Sequence, residues 1–481
     1  MRIRKYDFNY GRRKLLQNAA LGLGGGVLAP LWPTIANSAD DISKAYPDEL
    51  LSIEMYTKGK IKPGDVITAD NVEVVKDMLE PIIYEQVKNH GRRINIVESV
   101  TDVTKLFNHT YLEKTLKHAG RAKLDADGNI WTDGDTSKPW IGGAPFPDAK
   151  TGFELQANLT LSWGRHDYSQ YTVPFYSLNP DGEVAYRHEL VWCELNTTAR
   201  IDDSVFQGHD DKLRFQSVFF TAPNDTKGSS FLSVWYYDQR KFPDLYGYFP
   251  AFKRVRQFPT NQRFEPLVPG VTFFLSDAWA AGDPVLTWGN YKIIGRKPML
   301  GACTAHNWPS DHPTYDQKVH GGPKGKTFYD TYMSLIPEVA IFSAEPTGYP
   351  RAPVGRKEVY VDVRNMTFPS QVTYDRRGDI WKQFEPGYSQ YKNATGEVLA
   401  PDGKPDWSWL YCHTHDIQSG RMTRFRNEKS IPSGYHQQFT INVQQASIHM
   451  AVGIGKYSIV QHLVQQFFQL GCTVSFLNTQ Q

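Results

Sequence analysis

The chain has 481 residues, with 53 Lys and Arg against 51 Asp and Glu, a formal net charge of +2 and 13% aromatic residues. That balance leaves no electrostatic footprint for nucleic acid, so no nucleic-acid partner is expected. None of the four cysteines, Cys193, Cys303, Cys412 and Cys472, stands in a C-x-x-C, which argues against that redox motif and leaves one disulfide or buried free thiols.

The first forty residues read as an address. Arg2, Arg4 and Lys5 precede Gly11-Arg-Arg-Lys-Leu-Leu-Gln17, then a glycine-rich apolar run reaches Leu31, and small residues lie around Ala36 to Ala39. This layout predicts a secretory signal over 1–39, and Arg12-Arg13 fits the twin-arginine version. A span needs about 20 apolar residues, and the glycines and Pro30 interrupt the run, which argues against a membrane anchor. Without residues 1–39 the chain keeps 47 basic and 50 acidic residues, a net charge of −3. The expected location is the periplasm.

Residues 40–481 are expected to form a single mature domain, with a helical and turn-rich part at 40–150, a curved sheet at 151–450, and a C-terminal helix and tail at 451–481. In chain order, Asp70 and Glu73 suggest a capping box opening a helix through Val74, Val75, Met78, Leu79, Ile82, Ile83 and Val87, which Pro81 can split. Turn residues crowd 123–150, including Gly142-Gly-Ala-Pro-Phe-Pro147. Phe153, Leu155, Ala157, Leu159, Leu161 and Trp163 alternate with polar residues, which predicts a strand, although Leu155, Leu159 and Ser162 also leave a helical stripe. Strand patterns follow at 171–176, 184–195, 213–221, 231–237, 251–257, 291–294, 336–342, 357–363, 370–375 and 438–449. A last apolar helix is expected over Ser458–Leu470.

Ser233-Val-Trp-Tyr-Tyr-Asp238 and Phe252-Lys-Arg-Val-Arg-Gln-Phe258 read as a β-hairpin. Its first strand is bulky on both faces, Leu232, Val234 and Tyr236 on one and Trp235 and Tyr237 on the other. Each face therefore needs an apolar cover, and one cover can be a ligand. Tyr374-Asp-Arg-Arg-Gly-Asp-Ile-Trp381 reads as a hairpin tip with locally paired charges, or as the mouth of a cavity lined by Tyr374 and Trp381. His413 and His415 of Cys412-His-Thr-His-Asp416 share one face of a strand, as two metal ligands must, but no second paired spacing supplies the remaining ligands. Arg165-His166-Asp167 pairs a base with a carboxylate, with no nucleophile motif beside it.

Four passages in order resemble the exported bacterial family catalogued as domain of unknown function 1329. They are Lys58-Gly-Lys-Ile-Lys-Pro-Gly-Asp-Val-Ile-Thr-Ala-Asp-Asn71, Gly142-Gly-Ala-Pro-Phe-Pro147, the 233–258 region continuing to Trp288-Gly-Asn-Tyr-Lys-Ile-Ile-Gly295, and Asp375-Arg-Arg-Gly-Asp-Ile-Trp381. The resemblance implies kinship with periplasmic lipoprotein-localisation (LolA/LolB-like) carriers. The implied α+β fold is a large curved antiparallel sheet, an incomplete β-barrel covered by helices, with an apolar cavity for acyl chains. It also implies an MMPL-type exporter and an outer-membrane protein as partners. The stretch between Asp238 and Phe252 is longer than the family's short turn, and Cys412-His-Thr-His415 has no match in its pattern.

The expected function is a periplasmic carrier or chaperone for a lipid or other hydrophobic molecule, working by burial. Its expected ligand-binding residues are Trp235, Tyr237, Phe252, Arg254, Arg256, Trp279, Trp288, Tyr374 and Trp381. No catalytic residue, metal or cofactor is assigned. The alternatives are a periplasmic enzyme, metal-dependent or not, and an outer-membrane assembly factor.

Overall fold

The computed structural model describes residues 48–161, 165–206, 208–266, 268–277, 283–304, 318–390, 392–393 and 396–440. The signal expected over 1–39, the helix expected over Ser458–Leu470, Trp279 and Cys472 lie outside the described residues. Cys193, Cys303 and Cys412 are buried free thiols.

Among the described residues sixteen strands share one sheet. In chain order they are β1 (Val66–Ile67), β2 (Ile94–Ile96), β3 (Tyr168–Leu178), β4 (Val184–Asn196), β5 (Lys212–Ala222), β6 (Ser230–Tyr236), β7 (Asp244–Phe249) and β8 (Arg254–Phe258). Then come β9 (Gly289–Gly301), β10 (Thr331–Glu345), β11 (Val354–Asp362), β12 (Thr367–Asp375), β13 (Ile380–Gln390), β14 (Trp407–Asp416), β15 (Arg421–Arg426) and β16 (Gln438–Thr440). Two antiparallel meanders, β3 to β8 and β10 to β15, meet where Phe175 pairs with Phe425 and Leu178 with Met422. β9 and β2 flank β10, and the β2 pairing is parallel.

The sheet curls until its arms touch. On the β6–β7 loop, Phe242 lies 5.0 Å from the ring of Tyr349, which follows β10, and Gln239 Oε1 accepts the Val285 N–H at 3.2 Å. β1 and β8 end the pairing order without joining, so the barrel is incomplete, as the sequence led us to expect. The path has a consequence for the connection between the meanders. β8 lies at one end of the sheet and β9 near the other, so the chain between them has to cross a face.

Among the described residues the α-helices are few and short: α1 (Asp48–Leu51), α2 (Ile53–Thr57), α3 (Pro81–Asn89), α4 (His109–Lys117) and α5 (Gly152–Leu161). The helix expected from Asp70 is a 3-10 helix, Val72–Met78, followed after a break by α3 with Pro81 in its first turn. The Asp70–Glu73 box does not form. Glu80 caps α3 instead, accepting from the Ile82 and Ile83 N–H groups at 2.8 and 3.1 Å.

The strand expected at 153–163 is overturned, because residues 152–161 are helix α5. A true capping box starts it: Thr151 Oγ1 accepts the Glu154 N–H and Glu154 Oε2 accepts the Thr151 N–H, both at 3.1 Å. Its residues are buried nearly all round, which erases the amphipathic period that identifies a helix.

The 233–258 hairpin is also corrected. The long turn holds a third strand, β7, and β8 pairs with β7 rather than with β6. Gly247 of β7 makes room for the Phe258 ring, which lies 2.2 Å from where a Cβ would stand.

Candidate functional site

Alternation and register assign one face of the sheet to Tyr171, Val173 and Phe175 of β3, Leu190, Trp192 and Glu194 of β4, Arg214, Gln216, Val218 and Phe220 of β5, and Phe231, Ser233 and Trp235 of β6. The same face continues on the second meander through Phe425, Thr423, Thr414, Phe384, Lys382, Val359 and Lys357. Residues from both meanders enter one core cluster, so this face is the inside of the curl.

Part of that inner face is filled by the connection from β8 to β9. Phe264, Val268, Val271, Phe273, Phe274 and Leu275 are all buried there, although the regular structure among the described residues of the connection is two 3-10 turns, Thr260–Phe264 and Val285–Thr287. Phe273 lies 5.3 Å from the Phe425 ring and Phe274 5.7 Å from Trp381. The Thr272 hydroxyl donates to the Thr414 carbonyl at 2.7 Å and accepts the Thr423 N–H at 3.1 Å, bridging β14 and β15. Asp277 is buried between Lys357, 3.5 Å away, and Lys382, which donates to its carboxylate. Burial opposes that charge, but the two ammonium groups prevail and hold the carboxyl below its usual range.

At the β6 end of the inner face, Arg214 and Arg263 both lie over the Trp235 ring, at 4.5 and 5.3 Å from its centre. Arg263 Nε donates to Asp283 Oδ1 at 2.6 Å, and Asp283 also accepts from Trp288 Nε1 at 2.9 Å and the Tyr349 hydroxyl at 3.2 Å. Glu194 Oε1 accepts from Trp192 Nε1 at 2.9 Å and Gln216 Nε2 at 2.8 Å.

The expected ligand residues fall into separate places. Trp235 and Tyr237 pack together with Trp140 and Leu213, and the Tyr237 oxygen accepts the Trp140 N–H at 2.7 Å and donates to the Ile130 carbonyl. Trp288 and Trp381 adjoin the buried lysines, with Lys357 4.8 Å and Lys382 4.6 Å from their ring centres. Tyr374 belongs to the opposite face, its hydroxyl on Glu358 at 3.0 Å and Arg356 3.5 Å over its ring. Between Tyr374 and Trp381 runs the β12–β13 tip, where Arg377 pairs with Asp375 at 3.0 Å. Phe252, Arg254 and Arg256 are exposed at the open edge, where Arg256 pairs in register with Gly247 on the inner side and lies 4.6 Å over the Phe252 ring.

The histidine pair lies on the outer face under α3. Arg92 grips Glu385 with two bonds of 2.7 Å, Gln86 Nε2 donates to His415 Nδ1 at 3.0 Å, and the Tyr329 N–H donates to His413 Nε2 at 3.1 Å. Burial pushes His413 down to about 4 and His415 to about 3, and pushes Glu80 up to about 7. Burial also opposes the Glu385 charge, but Arg92 outweighs it and holds that carboxyl at about 2. Among the described residues no three His, Cys, Asp or Glu side chains converge as metal ligands. His166 and Asp167 face different partners, His166 Nε2 being 2.9 Å from Asp406 and Asp167 accepting the Ile201 N–H at 2.7 Å.

Sequence reasoning missed Arg214, Glu194, Arg263 and Asp283. The signal for the first was present: Arg214 and Gln216 share a strand face with Val218 and Phe220, placing polar groups where a core strand should be apolar.

Residues 66–452 match the family described as protein of unknown function (DUF1329). A search of curated proteins finds no match. A Vibrio parahaemolyticus domain described as of outer membrane lipoprotein-sorting type is similar over 63% of this chain and 97% of its own, at 16% identity and TM-score 0.39. A DUF1329 family protein from Desulfovibrio piger shares 13% identity over the same proportions, with TM-score 0.42. A LolA superfamily protein from Nitrosomonas europaea is 13% identical over 59% of this chain and 96% of its own, with TM-score 0.32.

Proposed function

The chain belongs to the DUF1329 family, and we propose that it is a periplasmic carrier or chaperone for a lipid or other hydrophobic molecule, holding it by burial against the inner face of the sheet. One observation carries the reading. The inside of the incomplete barrel takes Leu155 and Leu159 of α5, and another part of it is filled by the connection 263–277, whose described residues bury Phe264, Phe273 and Phe274 and form no α-helix or sheet strand. Such a segment surrenders little regular hydrogen bonding when it moves, and an acyl chain replaces its apolar contacts at about 25 cal/mol per Å². The periplasmic address rests on the N-terminal pattern of Arg12-Arg13 and the run after it. Cooperation with an MMPL-type exporter and an outer-membrane protein rests on the sequence resemblance.

The test is native mass spectrometry, with organic extraction, of protein purified from its own cells. A stoichiometric acyl lipid is expected. Repeated recovery of ligand-free protein under gentle conditions would remove the carrier reading.

A further inference from the structure

Arg214 is 1% exposed, and among the described residues none of its three guanidinium nitrogens has a hydrogen-bond partner. Buried polar groups are almost always bonded, and a buried charge without a partner is costly enough that folds pair it or neutralise it. Two more donors nearby are in the same condition, Arg263 Nη1 and Trp235 Nε1. Both arginines lie within 5.3 Å of the one indole ring. A ligand atom that satisfies this cluster has to accept hydrogen bonds and carry negative charge.

The strand register adds a second, independent observation. Along the inner face the row Asn196–Arg214–Trp235 is followed by Glu194–Gln216–Ser233, then by Trp192–Val218–Phe231, and then by Leu190 beside Phe220. Rows on one face are about 7 Å apart. Polarity therefore grades along the strands from guanidinium, through a polar row, to aromatic and aliphatic side chains.

We propose that Arg214, with Arg263 and Trp235, is the anchor for the phosphate or carboxylate oxyanion of an amphiphile. A polar linker follows on the Gln216–Ser233 row, and the chain runs toward Val218 and Phe231. The assignment rests on the carrier reading and names its ligand class. Burial pulls the Arg214 guanidinium down to about 10, with Arg263 adding to the shift and the Glu194 carboxylate on the next row opposing it, so the group remains charged at neutral pH, and among the described residues no carboxylate hydrogen-bonds it.

The test compares 1-palmitoyl lysophosphatidic acid with monopalmitoylglycerol, which has the same linker and chain without the phosphate, and with inorganic phosphate alone. Wild-type protein should prefer the phosphate lipid by at least about tenfold, the worth of charge-assisted hydrogen bonds. Arg214→Gln should bring that ratio near one, chiefly by weakening the phosphate lipid. Arg214→Met should raise the Tm of ligand-free protein, because it removes an unbonded buried charge; an arginine that merely supports the fold would lower it. A folded Arg214→Gln protein with wild-type preference overturns the anchor and leaves the carrier standing. If wild-type protein binds neither lipid, the carrier fails and the phosphate arm decides the site. A Tm rise with inorganic phosphate that Arg214→Gln abolishes then supports a free-oxyanion site, and no rise in either protein overturns it.

Discussion

His415 is almost wholly buried, and its Nδ1 accepts a hydrogen bond from Gln86 Nε2, so the ring is held neutral. Its folded pKa of about 3, like the value of about 4 for His413, lies below the ordinary 6.5. The unfolded chain therefore binds protons as pH falls below 6.5 while the folded chain does not, and stability is lost as pH drops from 6.5 toward 4. Glu80 acts in the opposite sense. Its pKa is raised to about 7 from 4.5, so its contribution is complete below 4.5 and lost as pH rises through 7. With His320, also lowered to about 4, and Asp167, also raised to about 7, three histidines outweigh two carboxyls, and below pH 4.5 they act with Glu385, whose pKa is about 2. His415→Gln keeps an acceptor for Gln86 but cannot take a proton. It should flatten the fall in stability between pH 6.5 and 4 by up to about 1.4 kcal/mol per pH unit. Thermal melts across that range check this, and an unchanged slope would assign the acid sensitivity elsewhere.

The 263–277 connection is the element on which the functional reading turns. It is pinned at Asp277 by two buried lysines and at Thr272 by the β14–β15 ladder. Asp277→Asn leaves Lys357 and Lys382 buried without an acid between them, which should cost about 3–5 kcal/mol. If the connection moves as a unit, native-state hydrogen exchange should rise at 268–277 and remain low in β12 and β13. Equal acceleration everywhere would mean that the connection is ordinary core. How much of this was legible in the sequence depended on local pattern. The strands at 168–178, 184–196 and 212–222 are rich in β-branched and aromatic residues, and the sequence reading places them to within a few residues. The third strand, Asp244–Phe249, hid between two proline-containing turns and was taken for loop. Helix α5 shows its start in Thr151-x-x-Glu154 but, buried on nearly every side, no stripe stronger than Leu155, Leu159 and Ser162 to set against the strand-like alternation. The sequence singles out Trp235 as a ligand-lining residue, and the register puts it on the inner face beside two arginines that the sequence reading does not single out. Arg263 reaches it from 28 positions away across an irregular segment, and no local period encodes that approach.

At the scale of the whole molecule, the sheet is a curl whose two arms meet without hydrogen-bonding as strands. Phe242 and Phe264 both stand edge-on to Tyr349, at 5.0 Å each, so one tyrosine ties the β6–β7 loop, the inner connection and the chain after β10 together. The Gln239–Val285 bond lies in the same clasp. On the carrier proposal, cargo leaves when the arms part, and the clasp then belongs to the barrier for release. An aromatic pair is worth about 0.5–1.5 kcal/mol, so Phe242→Ser should speed dissociation of a bound fluorescent fatty acid by about fivefold. Phe242 is partly exposed at the loop, which limits the accompanying loss of stability. Stopped-flow displacement by excess unlabelled fatty acid measures the off-rate directly. An unchanged off-rate in a folded variant would confine Phe242 to local packing and move the release barrier to the 263–277 connection, where Asp277→Asn would then show the larger acceleration.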